Sequence, residues 1–271
     1  MTGRRAAVLG SPISHSRSPQ LHLAAYRALG LADWTYDRIE CTADELPALV
    51  GGLGPEWVGL SVTMPNKFAA LQYADERTDR AGLVGSANTL VRTPTGWRAD
   101  NTDIDGVTGA LGSLSDAGPR PRAVVLGAGG TAPAAVAALA QLGVDHVTVA
   151  ARNLDKAARL VELAGQFGLG AGDCRLDGSA LADTIRAAAV VVSTLPVDAA
   201  AVYADVVAPA PILLDAIYDP WPTPLAAAVA AAGGRVVSGL QMLLHQAFAQ
   251  VEQFTGLPAP RAQMAAALTT P

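Results

Sequence analysis

Val124 to Leu139 reads VVLGAGGTAPAAVAAL: an apolar run, a glycine turn, then an alanine-rich stretch of helical length. A strand that turns this tightly into a helix opens a βαβ unit. The turn Gly127-Ala128-Gly129-Gly130-Thr131-Ala132 has GxGxxA spacing. Gly127 permits the tight turn, Gly129 lets the backbone approach a pyrophosphate, and Ala132 keeps the helix close to the strand. The helix N-terminus then offers N–H groups to phosphates. Glycines alone also make ordinary loops. Here a strand precedes, a helix follows, and a second strand is expected at His146–Ala150, which is the context a dinucleotide site needs.

The end of that second strand selects the dinucleotide. A site for NAD places Asp or Glu there, on the ribose 2′-hydroxyl. This chain reads VTVAARNLDK, with Ala150 and Ala151 where the acid would stand and Arg152 next. Lys156 follows one turn into the next helix. A carboxylate repels a 2′-phosphate, whereas a guanidinium binds it through paired hydrogen bonds. The local charge favours NADP over the alternative, solvated charges at a helix end.

Elsewhere strands and helices alternate. Strands are expected at Arg5–Leu9, Trp34–Glu40, Val58–Thr63, Ala87–Val91, Ala123–Leu126, His146–Ala150, Ala189–Ser193, Ile212–Ala216 and Gly234–Val237. Alternation of this kind implies an α/β fold with largely parallel sheets covered by helices. A turn-rich joint at Ser113–Pro121 marks a change of domain. Leu240–Phe254 has helical apolar spacing, and the tail from Pro258 reads as a short helix.

Bulk properties narrow the class. The chain has 271 residues, room for one large or two medium domains, and a net charge of −5. That charge gives no basic face for nucleic acid or anionic lipid. No apolar stretch reaches membrane-spanning length. The run after Arg4-Arg5 is too short for an export signal. Cys41 and Cys174 form no CxxC pair, which suits a reducing cytoplasm. Asn101 to Gly106 imitates the start of a calcium loop, but Gly112 stands where the bidentate glutamate belongs, so no metal site is expected. The four histidines have no ligand spacing.

Four polar segments remain. GSPISHSRSPQLH (Gly10–His22) leaves the first strand through four serines. Ser18-Pro19 suits a helix start, with Ser18 as N-cap and Gly30 ending the helix. Ser16 has no such structural explanation. SVTMPNK carries Thr63 and Lys67, GSANT carries Asn88, and DNTD carries Asp103 at a helix start. Ligands of parallel sheets bind beyond the carboxyl ends of strands. Ser16, Ser18, Thr63 and Lys67 all follow strands, so one pocket can collect them. Asn88 stands near the start of its strand, and spacing alone does not place it there. Each residue has a plainer role available: Asn88 as a link between loops, Asp103 as a cap, Lys67 as a solvated helix lysine.

Taken together, GSPISHSRSP, SVTMPNK, GSANT, DNTD, GAGG, the Arg152 turn and GLQMLLHQ (Gly239–Gln246) resemble the shikimate dehydrogenase family over nearly the whole chain. The resemblance implies two α/β domains. A substrate-binding domain of residues 1–104 would be completed by helices from 239–271, with a Rossmann-type NADP domain at 105–238. It implies NADPH-dependent reduction of 3-dehydroshikimate to shikimate by a cytoplasmic monomer or homodimer. Lys67 and Asp103 match the catalytic pair. Ser16, Ser18, Thr63, Asn88, Tyr218 and Gln246 match substrate positions. The glycine turn, Arg152, Asn153, Lys156 and Gly239 match cofactor positions. Ser61 departs from the asparagine common in the family, Lys156 from arginine, and Ser193–Pro196 from an asparagine-containing segment. The nearest rival is a quinate/shikimate dehydrogenase with relaxed cofactor use. A catalytically silent NADP-binding protein would lack Lys67 or Asp103. A methylenetetrahydrofolate dehydrogenase would lack the serine and DNTD segments.

Overall fold

A computed structural model describes residues 3–112, 114 and 121–269. The chain forms two compact units: one runs to Asp103 and resumes at Leu243, and the other is Ile104–Met242. Most of the joint expected at 113–121 lies outside the described residues.

In chain order the first stretch gives β1 (Arg5–Gly10), α1 (Ser18–Ala28), β2 (Thr35–Glu40), α2 (Leu46–Gly51), β3 (Trp57–Val62) and α3 (Lys67–Tyr73). It continues with β4 (Glu76–Arg77), α4 (Asp79–Val84), β5 (Thr89–Thr93), β6 (Gly96–Asp100) and α5 (Asp103–Leu111). Next come β7 (Arg122–Leu126), α6 (Ala132–Gln141), β8 (His146–Ala151), α7 (Leu154–Gln166), β9 (Gly170–Arg175) and α8 (Ala180–Arg186). The last are β10 (Val190–Ser193), α9 (Val197–Ala201), α10 (Ala204–Val207), β11 (Ile212–Asp215), α11 (Pro224–Ala231), β12 (Arg235–Ser238), α12 (Gly239–Thr255) and α13 (Arg261–Thr269).

The first unit is built on a sheet of order β2-β1-β3-β5-β6-β4. Its interior strand β1 is apolar on both faces, as a strand covered on both sides must be. Ala6 and Val8 pack with α1, α12 and α13, through Leu21, Phe248 and Met264. Ala7 and Leu9 pack on the other face with Leu46, Val50 and Ala70. The sheet is mixed, which corrects the expectation of parallel strands here. β5 runs antiparallel to β3, and β6 antiparallel to β5. The β5–β6 hairpin turns at Pro94-Thr95, between the paired Thr93 and Gly96. Gly96 has φ +147°, and a Cβ there would lie 2.0 Å from Asp75 Oδ2, so glycine is required.

The second unit has an all-parallel sheet of order β12-β11-β10-β7-β8-β9. Read from β9, this is the 3-2-1-4-5-6 order of a Rossmann fold. Its strand order reverses between β7 and β10, and ligands of such sheets bind at that point. α6 buries every residue from Ala132 to Leu139. Alanine dominates that run because a small side chain lets the helix approach the strands closely.

Three strands had no clear signal in the sequence. β4 is only two residues long. β9, GAGDCR, is a glycine-rich and partly exposed edge strand. β6 alternates Trp97 and Ala99 with Arg98 and Asp100, but the run is too short to stand out.

Candidate active site

The antiparallel hairpin explains how four separate motifs meet. β1 and β3 are parallel, with Leu9 opposite Val62, so their following loops leave side by side. Thr63 N donates to Leu9 O at 2.9 Å and Ser11 N to Met64 O at 3.0 Å. Because β5 runs the other way, its start lies at the end of β3. Val62 N donates to Asn88 O at 2.7 Å. β6 then returns to the same edge, where Thr89 faces Asp100, and delivers Asn101-Thr102-Asp103 there.

Lys67 is the first residue of α3 and Asp103 the first of α5. Lys67 Nζ donates to Asp103 Oδ2 in a short contact. Asn88 Nδ2 donates to Asp103 Oδ1 at 2.9 Å, so each carboxylate oxygen has a donor. Asp103 is thus turned to Lys67 and Asn88, while Asn101 Oδ1 accepts its backbone N–H at 3.1 Å. Lys67 and Asp103 are only 8% and 5% exposed, which excludes a solvated helix lysine. In so dry a place each charge depends on the other.

Asn88 is held from both ends. Its Oδ1 accepts Thr102 N at 2.7 Å and Thr89 Oγ1 at 2.8 Å. That orientation turns the Nδ2 group towards Asp103 and towards Gln246 Oε1, 3.0 Å away. The linking role and the site role therefore coincide in one side chain.

The serine loop reverses one expectation. α1 begins at Ser18, with Arg17 in the N-cap place and no side-chain cap bond. Ser18 is therefore not the cap. Ser16 Oγ accepts Ser18 N at 3.3 Å, so the serine without a structural explanation is the one that braces the helix start. Gly30 does close the helix in the left-handed region, at φ +71°. Burial pushes the pKa of the Tyr36 phenol up, against the opposing pull of the Ser61 and Ser18 hydroxyls.

The glycine turn occupies the switch point of the second sheet. Gly127 has φ +101°, and a Cβ there would lie 2.7 Å from Thr194 Oγ1, so the fold itself demands glycine. Gly129 differs: it is exposed, and its missing Cβ faces nothing within 4 Å. That open space suits a ligand pressed against the backbone. α6 starts at Ala132, with the positive end of its dipole at the turn. Arg152 follows β8 directly and is exposed, as is Lys156. Asn153 caps α7, its Oδ1 accepting Lys156 N at 3.1 Å. No carboxylate ends β8, so these residues fit a 2′-phosphorylated dinucleotide. Gly239 opens α12 against the Tyr218 segment. A Cβ there would lie 2.2 Å from Ala216 O, and Gly239 N donates to Ile217 O at 3.1 Å.

Known proteins share this fold. The shikimate dehydrogenase substrate-binding domain matches residues 8–90, the shikimate/quinate 5-dehydrogenase family residues 113–209, and the shikimate 5′-dehydrogenase C-terminal domain residues 239–269. A shikimate dehydrogenase (NADP(+)) of Anaeromyxobacter sp. (strain Fw109-5) is 39% identical, over 100% of this chain and 98% of its own. The chain belongs to the shikimate dehydrogenase family. Shikimate dehydrogenase of Mycobacterium tuberculosis superposes with a TM-score of 0.94 at 70% identity, covering 99% of this chain and 100% of its own. The shikimate 5-dehydrogenase of Thermus thermophilus, solved with NADP(H) and shikimate, gives 0.80 at 29% identity over 97% and 98%.

Reading motifs missed the layer beneath these residues. Ser61, which the resemblance sets opposite an asparagine, has its hydroxyl committed elsewhere. It accepts Tyr36 OH at 2.5 Å and donates to Gln250 Oε1 at 2.7 Å. Gln250 Nε2 donates to Thr89 Oγ1 at 2.9 Å and Asn88 O at 3.2 Å. Gln253, one turn on, donates to Asp100 Oδ2 at 2.7 Å. Gln246, Gln250 and Gln253 are spaced i, i+4, i+7, which puts them on one face of α12. Three glutamines in that rhythm inside an apolar helix were the available signal.

Proposed function

We propose that the protein catalyses the reversible, NADPH-dependent reduction of 3-dehydroshikimate to shikimate in the cytoplasm. The observation that carries this is the buried Lys67–Asp103 pair, held by Asn88 at the strand edge that also bears Thr63 and the Ser16–Ser18 loop. NADPH, when bound, supplies the hydride. Lys67 in its ammonium form polarises the C3 carbonyl and gives a proton to the oxygen as negative charge develops; in the oxidative direction it accepts that proton. Acid–base help of this kind is worth roughly 10²–10⁴-fold. Asp103 holds the ammonium in place and balances its charge.

The Ser16 and Ser18 hydroxyls take the substrate carboxylate, since hydroxyl donors hold it without a full opposing charge. Thr63, Asn88 and Gln246 take the ring hydroxyls, and Tyr218 would serve the substrate and nicotinamide. The Gly127–Ala132 turn takes the pyrophosphate. Arg152, Asn153 and Lys156 would take the 2′-phosphate and adenosine, and the backbone at Gly239 would serve the nicotinamide. Free thiols at Cys41 and Cys174 suit the reducing compartment.

The test is cofactor reduction with shikimate or quinate, each offered with NADP⁺ or NAD⁺. Activity chiefly with shikimate and NADP⁺ is expected. Preference for quinate or for NAD⁺ overturns the respective part of the reading.

A further inference from the structure

Arg38 lies on β2 and spends its guanidinium on a backbone carbonyl. Its Nε and Nη2 donate to Ser16 O at 2.8 and 2.6 Å. Two donors in a rigid plane on one oxygen fix the orientation of the Ser16–Arg17 peptide. That peptide lies between the two serines. It sets where the Ser16 side chain leaves the backbone and where α1 begins at Ser18. Two residues along the strand, Glu40 braces the rest of the loop: Oε1 accepts Ser11 Oγ at 2.6 Å and Oε2 accepts Ile13 N at 3.1 Å. Cys41 N donates to Gly10 O at 2.9 Å. The loop from Gly10 to Ser16 is therefore fastened to β2 at every stage.

The bracing has a chemical consequence at Ser16. Its hydroxyl oxygen already accepts Ser18 N, so its own proton remains to be donated. A carboxylate needs donors. We infer that Arg38 is a positioning residue for substrate-carboxylate binding, acting through the fork on Ser16 O that orients the Ser16 and Ser18 hydroxyls. This rests on the activity proposed above. The fork acts by geometry more than by charge, because Glu40 two residues away opposes the guanidinium's field.

Arg38→Met and Arg38→Lys test it, using shikimate and its methyl ester, which lacks the carboxylate charge; the ester is measured as substrate or competitor. Misplaced donors are costly to binding, so Arg38→Met should raise the KM for shikimate about tenfold with kcat within about twofold. Arg38→Lys keeps the charge but not the fork, and should recover only a minor part. Ester affinity should match the wild type in both variants. An unchanged KM, an equal loss for acid and ester, or full recovery in Arg38→Lys overturns the inference. If Arg38→Met fails to fold, Arg38→Lys alone decides by the acid–ester comparison. A wild type inactive on shikimate overturns the activity reading; an active wild type with unaltered variants overturns only the role of Arg38.

Discussion

Lys67 and Asp103 depend on each other twice, for chemistry and for stability. Removing Lys67 takes away the proton donor and also strands a carboxylate in a nearly dry place, with Asn88 its remaining donor. Breaking a buried pair by removing one partner costs about 3–5 kcal/mol, whereas replacing both by apolar groups of like volume is often neutral. Lys67→Ala should therefore lose turnover by roughly 10²–10⁴-fold and also melt earlier. Lys67→Met/Asp103→Leu should regain most of the stability and none of the turnover. Kinetics beside thermal melts check this. A double variant as unstable as Lys67→Ala would show that the damage was not an uncompensated charge.

The glycine turn separates what the β7–α6 element needs from what its ligand needs. At Gly127 the backbone is left-handed and Thr194 stands against the missing Cβ, so Gly127→Ala strains the folded state. At Gly129 the space is open and no left-handed φ is imposed, so Gly129→Val should leave the melting temperature nearly unchanged while NADP⁺ affinity falls about tenfold or more. Calorimetry on both variants checks the contrast; a fall in stability at Gly129 comparable with that at Gly127 would count against a ligand role. This turn was legible because its chemistry is local: strand, glycines and helix are contiguous. The Ser61–Gln250–Thr89 layer was not, since it depends on α12 returning from far along the chain. Asn88 shows the boundary most sharply. Its residue type was readable, but its place depends on β5 running antiparallel, and an apolar run does not state its direction. Ser16 and Ser18 show the same limit at one residue's scale, where cap and brace exchanged places because helix boundaries shift by a residue.

At the scale of the whole molecule, acid should unfold this protein earlier than its carboxylates alone would require. His22 is fully buried, stacked on Tyr36 at 4.0 Å between ring centroids, with Phe254 at 5.6 Å. Neither ring nitrogen has a partner at hydrogen-bond geometry. Burial pulls its pKa down from 6.5 to about 3, and the opposing pull of Gln250 does not offset it. Between those values the unfolded chain binds a proton that the folded one refuses, so stability rises with pH. The stability is complete above 6.5 and drains as pH falls towards 3, at up to about 1.4 kcal/mol per unit. Burial also lowers the pKa of His146 and His245, with the same sign. Asp100, held by Arg80, Thr78 and Gln253, is lowered to about 2 despite its burial, so its share is lost only below the ordinary carboxylate range. Asp215, raised by burial, acts with the opposite sign above the ordinary carboxylate value, so the loss of stability between about pH 6.5 and 5 comes from the histidines working against it. His22→Phe keeps the ring stack and removes the titrating group. Urea midpoints across that interval should fall with acid in the wild type and fall distinctly less in His22→Phe. Equal slopes would show that His22 takes no part in the acid response.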